Sequence, residues 1–324
     1  VYVPNASGVP DGPGWGVPSE LVEAVEDGVG DNFEINYLDP DFELPSDWKF
    51  ALGITHNFPG DYLVSADLLV TRGQDSVMVK RGDIDQVGTN DDGYPDYASN
   101  REASFVLTNS SKGNRATVFS LGLQKSIGDN FDYRIGYAHT DAEDVQPMTS
   151  AVAFSNYTQR AFFDPNEDVL STSNYQIKHR FTADAKWRKE FGNNMLWTVA
   201  LYGQANSGRP YSFAYNGTFL PYFFTPFLDN LDNVLEPGVD SNGEEGSWWR
   251  KVDLYTSLDF PGFADGHEGK VFLVIDNLTN LLNDSWGVLK QHPFPYFVTE
   301  GTTEPRRGDV SRYEIRFGVK YSFE

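Results

Sequence analysis

Between Tyr175 and Arg188 the side chains alternate so strictly that two chemically opposed faces run along one extended segment. Tyr175, Ile177, His179, Phe181, Ala183, Ala185 and Trp187 fall on one face, and Gln176, Lys178, Arg180, Thr182, Asp184, Lys186 and Arg188 on the other. Successive side chains of a strand point to opposite sides, so this segment must meet an apolar medium on one side and water or counter-charges on the other. The same period recurs in 48–57, 62–71, 117–127, 131–140, 195–204, 250–260, 270–279 and 312–323. The last is the sharpest: Tyr313, Ile315, Phe317, Val319, Tyr321 and Phe323 alternate with Arg312, Glu314, Arg316, Gly318, Lys320 and Ser322. Segment 270–279 is the least clean, because Phe272 and Val274 fall on its polar face.

These segments reach the ~9 to 11 residues of a strand tilted across a bilayer, and exceed the ~5 to 6 usual in soluble sheets. Their connections alternate in length. FPGD, IGDN, FGNN and the somewhat longer PGFADGHEG join strands in pairs, whereas 72–116, 141–174, 205–247 and 281–311 are long. Short turns at one end and long loops at the other are the layout of an outer-membrane barrel, with periplasmic turns and extracellular loops. The expected fold is therefore all-β, a transmembrane antiparallel β-barrel, with residues 47–324 supplying about nine strands and residues 1–46 the remnant of an extracellular loop. Lys125 and Lys189 have outward parity, but each lies beside a short turn where its stem can snorkel to the headgroups. At mid-bilayer each would cost roughly 2 to 4 kcal/mol.

Composition removes several other classes. A net charge of −22 argues against a nucleic-acid surface, which needs clustered Lys and Arg. The absence of cysteine excludes disulfide scaffolds and thiolate chemistry. A mean hydropathy of −0.45 resembles that of a soluble protein, yet a barrel that alternates lipid-facing and lumen-facing residues averages the same way. The alternative is a soluble β-sandwich or β-helix, for instance a carbohydrate-binding one. Against it stand the charged rows of 176–188 and 312–320, which suit the inner wall of a wide barrel. Bacterial single-chain barrels have an even strand number, and open edges in lipid are not viable. Further strands are thus expected upstream of a chain that starts without Met or a signal peptide.

The stretches FEINYLDPDFELPSDWKFALGITHNF, YQIKHRF, SGRPYSFAYNG, VFLVIDNLTNLLNDSWGVLKQ and RYEIRFGVKYSF together resemble the C-terminal barrel of TonB-dependent receptors, in particular the Oar-like branch. The resemblance covers the chain from about Phe33 onward. It implies a 22-stranded barrel with a plug domain N-terminal to it, and energised uptake of a scarce ligand through TonB contacting that plug. It also implies an assembly signal ending on the aromatic Phe323, read by the barrel assembly machinery, although here Glu324 follows. A passive porin or adhesin-type barrel is the alternative within the membrane class.

Site candidates lie in the loops. RPYSFAYNGTFLPYFFTPF, residues 209–227, gathers Arg209, Tyr211, Phe213, Tyr215, Phe219, Tyr222, Phe223 and Phe224, a platform for a small or oligomeric ligand or else part of the upper aromatic girdle. Trp248 and Trp249 read as girdle residues. VGTNDDGYPD at 87–96 resembles a calcium loop through Asn90, Asp92 and Asp96, but Gly88 and Ser99 replace its strongest ligands. DPNED at 164–168 is a second carboxylate cluster. No catalytic motif occurs, His267 and His292 have no acidic or histidine partner at ligand spacing, and no enzyme activity is expected. The expected partners are membrane lipid, TonB through the plug, and the ligand.

Overall fold

The computed structural model of the protein describes residues 35–89, 93–99, 104–192, 194–215, 235 and 238–323. Nine long strands form one antiparallel path: β1 (Ser46–Phe58), β2 (Tyr62–Gln74), β3 (Arg115–Ile127), β4 (Phe131–Asp144), β5 (His179–Phe191), β6 (Met195–Asn206), β7 (Trp249–Pro261), β8 (Glu268–Asp276) and β9 (Glu314–Ser322). Each pairs with its neighbour in sequence, so the sheet is an unbroken meander. Among the described residues β1 and β9 each have one wall neighbour.

Two boundaries differ from the sequence expectation. The alternation that begins at Tyr175 enters the wall only at His179. Just before it, Gln176 Oε1 accepts the Ala142 amide at 2.6 Å, and the Ser173 amide donates to the Ala142 carbonyl at 2.8 Å, which folds this stretch over the end of β4. The final strand likewise starts at Glu314, after a 3-10 turn at Asp309–Ser311.

The registers keep like with like. Leu121 lies opposite Tyr137, Leu201 opposite Leu254 and Leu273 opposite Phe317, so apolar side chains form continuous rows on one face. Those rows are uncovered: Trp48 is 71% exposed and Phe317 72%. Of the buried hydrophobic residues described, Ile275 alone belongs to a wall strand. A continuous apolar band of this extent is not sustained against water, and hydrocarbon is the medium that satisfies it.

The opposite face is ionic. Arg134 Nε meets Asp184 Oδ1 at 2.8 Å, Arg188 Nη2 meets Asp132 Oδ2 at 2.6 Å, Lys270 Nζ meets Asp259 Oδ1 at 2.9 Å, and Arg316 pairs with Asp276. These half-solvated pairs are worth only ~0 to 1 kcal/mol each, so they order the inner wall more than they stabilise it. Phe272, the residue that spoiled the pattern of its segment, has a local reason. It lies opposite Gly318 and its ring covers that glycine, where a Cβ would come within 2.2 Å of the ring.

At one end, β1–β2, β3–β4, β5–β6 and β7–β8 are joined by short connections, among them the turns at 59–61, 128–130 and 262–267. Gly60 (φ 88°) and Asp61 (φ 63°) take the left-handed backbone that a tight hairpin requires. Aromatic rings collar this end. Lys125 Nζ sits 3.7 Å from the Tyr62 ring centroid and Lys189 Nζ 5.9 Å from that of Phe191, while Trp187 and Trp197 meet edge to face at 5.2 Å. Phe323 joins the collar, 6.0 Å from the ring of His267.

At the other end the long loops fold together into a cap. Ile35–Leu38, Ser104–Asn109 and Val77–Arg81 make a three-stranded sheet, Ile84–Thr89 and Pro95–Ser99 a hairpin, and Ala153–Thr158 a short helix, α1. Val79, Ile84, Tyr94, Tyr97, Phe105, Tyr157 and Phe162 form its core. The buried core of the described molecule is therefore in the loops.

Candidate functional site

The cap is held by polar groups fixed from distant segments. Gln146 bonds both the amide and the carbonyl of Val79, at 2.8 and 2.9 Å, and Asn166 does the same for Arg81, at 2.9 Å each. Arg81 forms a buried ion pair with Asp83, whose Oδ1 also accepts the Ser104 amide at 2.9 Å. The carboxylates of 164–168 are used in the same way. Asp164 accepts the Tyr97 hydroxyl at 2.6 Å and the Asn166 amide at 2.9 Å; Asp168 accepts the Ser110 hydroxyl and the Ser111 amide. Burial opposes ionisation of Asp168, but the bonds from Ser110 and Ser111 outweigh it and hold the carboxyl below its ordinary range. This cluster thus serves as structural acceptors.

Behind it opens a cavity of about 730 Å³ between residues 143–174 and residues 235 and 238–243, with Arg160, Phe162, Phe163, Asp164, Glu167 and Asp240 in its lining. Its volume is that of a small-molecule pocket. Burial, reinforced by the charge of Asp164, pushes the Glu167 carboxyl up. Rings and carboxylates together suit a ligand that offers both an apolar face and hydrogen-bond donors.

A second feature adjoins it. Pro210–Phe213 pairs antiparallel with Glu244–Glu245 and parallel with Phe297–Val298, which brings the loop after β6 against the loop after β8. Gly208 allows this approach, since a Cβ there would lie 2.1 Å from the Gly246 backbone. The result is an aromatic shelf. Tyr211 packs 5.6 Å from Phe213 and 4.6 Å from His292, and the Arg209 guanidinium lies 5.7 Å over Tyr296 while donating to the Asn174 carbonyl at 3.2 Å. Burial, then the carboxylates of Glu244 and Glu304, push the Tyr211 phenol up, and burial pushes the His292 imidazole down. Asn242 links shelf and cavity by donating to the Thr172 carbonyl and to Asn174 Oδ1, both at 2.6 Å.

Of the residues singled out by sequence, Arg209, Tyr211 and Phe213 are brought together, and Tyr215 lies exposed beyond them. Phe219, Tyr222, Phe223 and Phe224 lie outside the described residues, as do Asn90 and Asp92. Asp96 stands opposite Gly88 in the hairpin, and no group of three or more metal-type side chains occurs among the described residues. His292 and Tyr296 were missed; the aromatic run HPFPYF at 292–297 was the available signal. Trp248 stacks 6.1 Å from His179, as a girdle residue does, but the Trp249 indole donates to the Gly287 carbonyl at 3.1 Å and ties β7 to the loop after β8.

The NLTN…NDSWG run is structural. Asn277 (φ 54°) accepts from the Thr279 hydroxyl at 2.8 Å and donates to the Gly287 carbonyl at 2.9 Å, which closes the one-turn helix α2 (Leu278–Leu282) back on itself.

No protein-family model matches the chain, and no curated protein matches it. Among solved structures it is similar to the crystal structure of the outer membrane transporter YddB from Escherichia coli, with a TM-score of 0.50 at 10% sequence identity over 90% of this chain. The match covers 34% of that chain, so this protein spans about a third of its length. The likeness is one of fold: the antiparallel wall described here is that of a transmembrane β-barrel.

Proposed function

We propose that the chain is part of the barrel of an outer-membrane transporter of the TonB-dependent kind, taking up a ligand that first docks in the loop cap. The observation that carries this reading is the two-faced wall with every short turn at one end and its loops packed together at the other. Apolar rows turned outward fit acyl tails, the ion-paired rows fit a wet lumen, and the cavity and shelf offer a docking surface where a ligand arrives. In this reading the cap is extracellular and a plug encoded upstream couples uptake to TonB.

The test uses the full-length protein in its own cells. It is expected in the outer-membrane fraction with heat-modifiable migration, and ligand accumulation is expected to stop when TonB is deleted or the proton gradient is collapsed. Accumulation that persists without TonB would convert the reading to a passive porin. Recovery in the soluble fraction would end it.

A further inference from the structure

The outward face of the wall carries a depression just below the cap. Ala183 of β5, Gly203 and Ala205 of β6 and Val252 of β7 lie side by side in register, and with Phe181 and Arg250 they line a groove of about 310 Å³. Ala66 and Ala185 also face outward, but each lies between large side chains, Ile54 and Leu121 or Tyr133 and Leu201; here Ala183 lies opposite Gly203 with Ala205 beside them, which leaves a trough. Gly203 is not required by the backbone, because a Cβ there would have only ordinary contacts, the nearest at 3.8 Å. The trough is therefore a matter of side-chain size.

Its upper end is cationic and aromatic. Arg250 is exposed and makes no ion pair among the described residues, in a chain whose net charge is −22. Its guanidinium lies 5.9 Å over the Trp248 ring, which in turn stacks at 6.1 Å on His179, and His139 lies 5.1 Å from His179. Two further cations have outward parity in the upper wall: Arg115 is neutralised by Glu143, and Arg72, opposite Trp48, is spent on the Thr71 and Ala116 carbonyls. A lone guanidinium beside indole and imidazole rings at the rim of an apolar surface fits an anionic headgroup, and the trough beneath it fits a hydrocarbon chain.

We propose that Phe181, Ala183, Gly203, Ala205, Val252 and Arg250 form a specific site for one phosphate-bearing membrane lipid, its headgroup on Arg250 and one acyl chain in the groove. The proposal rests on the reading that the outward face meets lipid. It goes beyond that reading because a bare hydrophobic wall needs neither a trough nor an unpaired cation above it.

The full-length protein would be inserted into vesicles of phosphatidylcholine doped with phosphatidylglycerol, extracted in mild detergent, washed, and its retained lipid counted by mass spectrometry. About one phosphatidylglycerol per protein is expected to survive, with little phosphatidylcholine. Arg250→Gln should lower that retention by about fivefold, the usual effect of one basic residue at an anionic surface, and Gly203→Leu should lower it by filling the trough while leaving insertion unchanged. Equal retention of both lipids, or retention indifferent to both substitutions, would overturn the site while leaving the membrane reading intact. A protein that never enters vesicles would overturn both.

Discussion

The wall and the cap of this protein solve the burial problem in opposite ways. In the wall, apolar side chains such as Leu121, Leu201 and Phe317 point outward and remain uncovered, and charges turn inward. In the cap, Phe105 is 1% exposed, with the rings of Phe154 and Tyr157 packed on it in a core drawn from two loops, as in a water-soluble domain. Exposure alone therefore does not distinguish a stabilising residue from a dispensable one. The same phenylalanine is core in one region and lipid-facing surface in the other, and only the surrounding medium tells them apart.

The sharpest way to break this comparison is a truncation in the cap. Phe105 packs 5.5 Å from Tyr157 and 6.0 Å from Phe154. Phe105→Ala is expected to destabilise the cap by ~3 to 5 kcal/mol, the usual cost of emptying an aromatic core site. The wall has its own hydrogen-bonded ladder, so proteolysis should open the segment around 77–109 while heat-modifiable migration persists. If both regions melt together, the cap and the wall are one cooperative unit.

Next comes a parity test on neighbouring residues of β3. Leu121 points outward, and Ser120 points inward, where its hydroxyl reaches Asp67 at 3.3 Å. Leu121→Arg should cost ~2 to 4 kcal/mol of stability in vesicles, whereas Ser120→Arg, beside Asp67, should stay within about 0.5 kcal/mol. Chemical unfolding of both variants in vesicles measures the difference. Equal effects would mean that the outward face does not meet hydrocarbon.

The wall was legible in the sequence because its period of two is local: each strand announces its faces without reference to its partner. The cap was not. Val79, Tyr97, Phe105, Tyr157 and Phe162 come from segments too short and irregular to show a period, and their core exists only once two long loops meet. The shelf was half legible. Tyr211 and Phe213 stood out by composition, but His292 and Tyr296 join them through the parallel pairing of Phe297–Val298 with Ser212–Phe213, a long-range contact with no local signature. The entry of β5 was misplaced for a related reason, since Gln176 keeps the strand's alternation but uses its side chain on β4.

Smaller effects are expected from the inner wall. Arg134 and Asp184 face each other across β4 and β5 and remain partly solvated, so Asp184→Asn should change stability by only ~0.2 to 1 kcal/mol, less in high salt. A double-mutant cycle with Arg134→Gln measures the pair itself. A larger coupling would mean that the inner face is drier than a wet lumen.

The smallest and most local contrast concerns His292, whose ring packs on Tyr211 and whose Nδ1 is buried without a hydrogen-bond partner. Burial lowers its affinity for a proton, the nearby Arg307 lowers it further, and Glu304 only partly opposes this. When the loop opens, the imidazole returns to its ordinary value near 6.5 and takes up a proton that the packed form does not hold. The shelf should therefore keep its full stability above about 6.5 and lose it as the pH falls below that value towards the lowered value of the packed ring. His292→Phe keeps a ring against Tyr211 and has nothing to titrate. Protease cleavage within 281–311 should rise on acidification in the native protein and stay flat in this variant, while the wall, whose ladder does not involve His292, gives the same pH response in both.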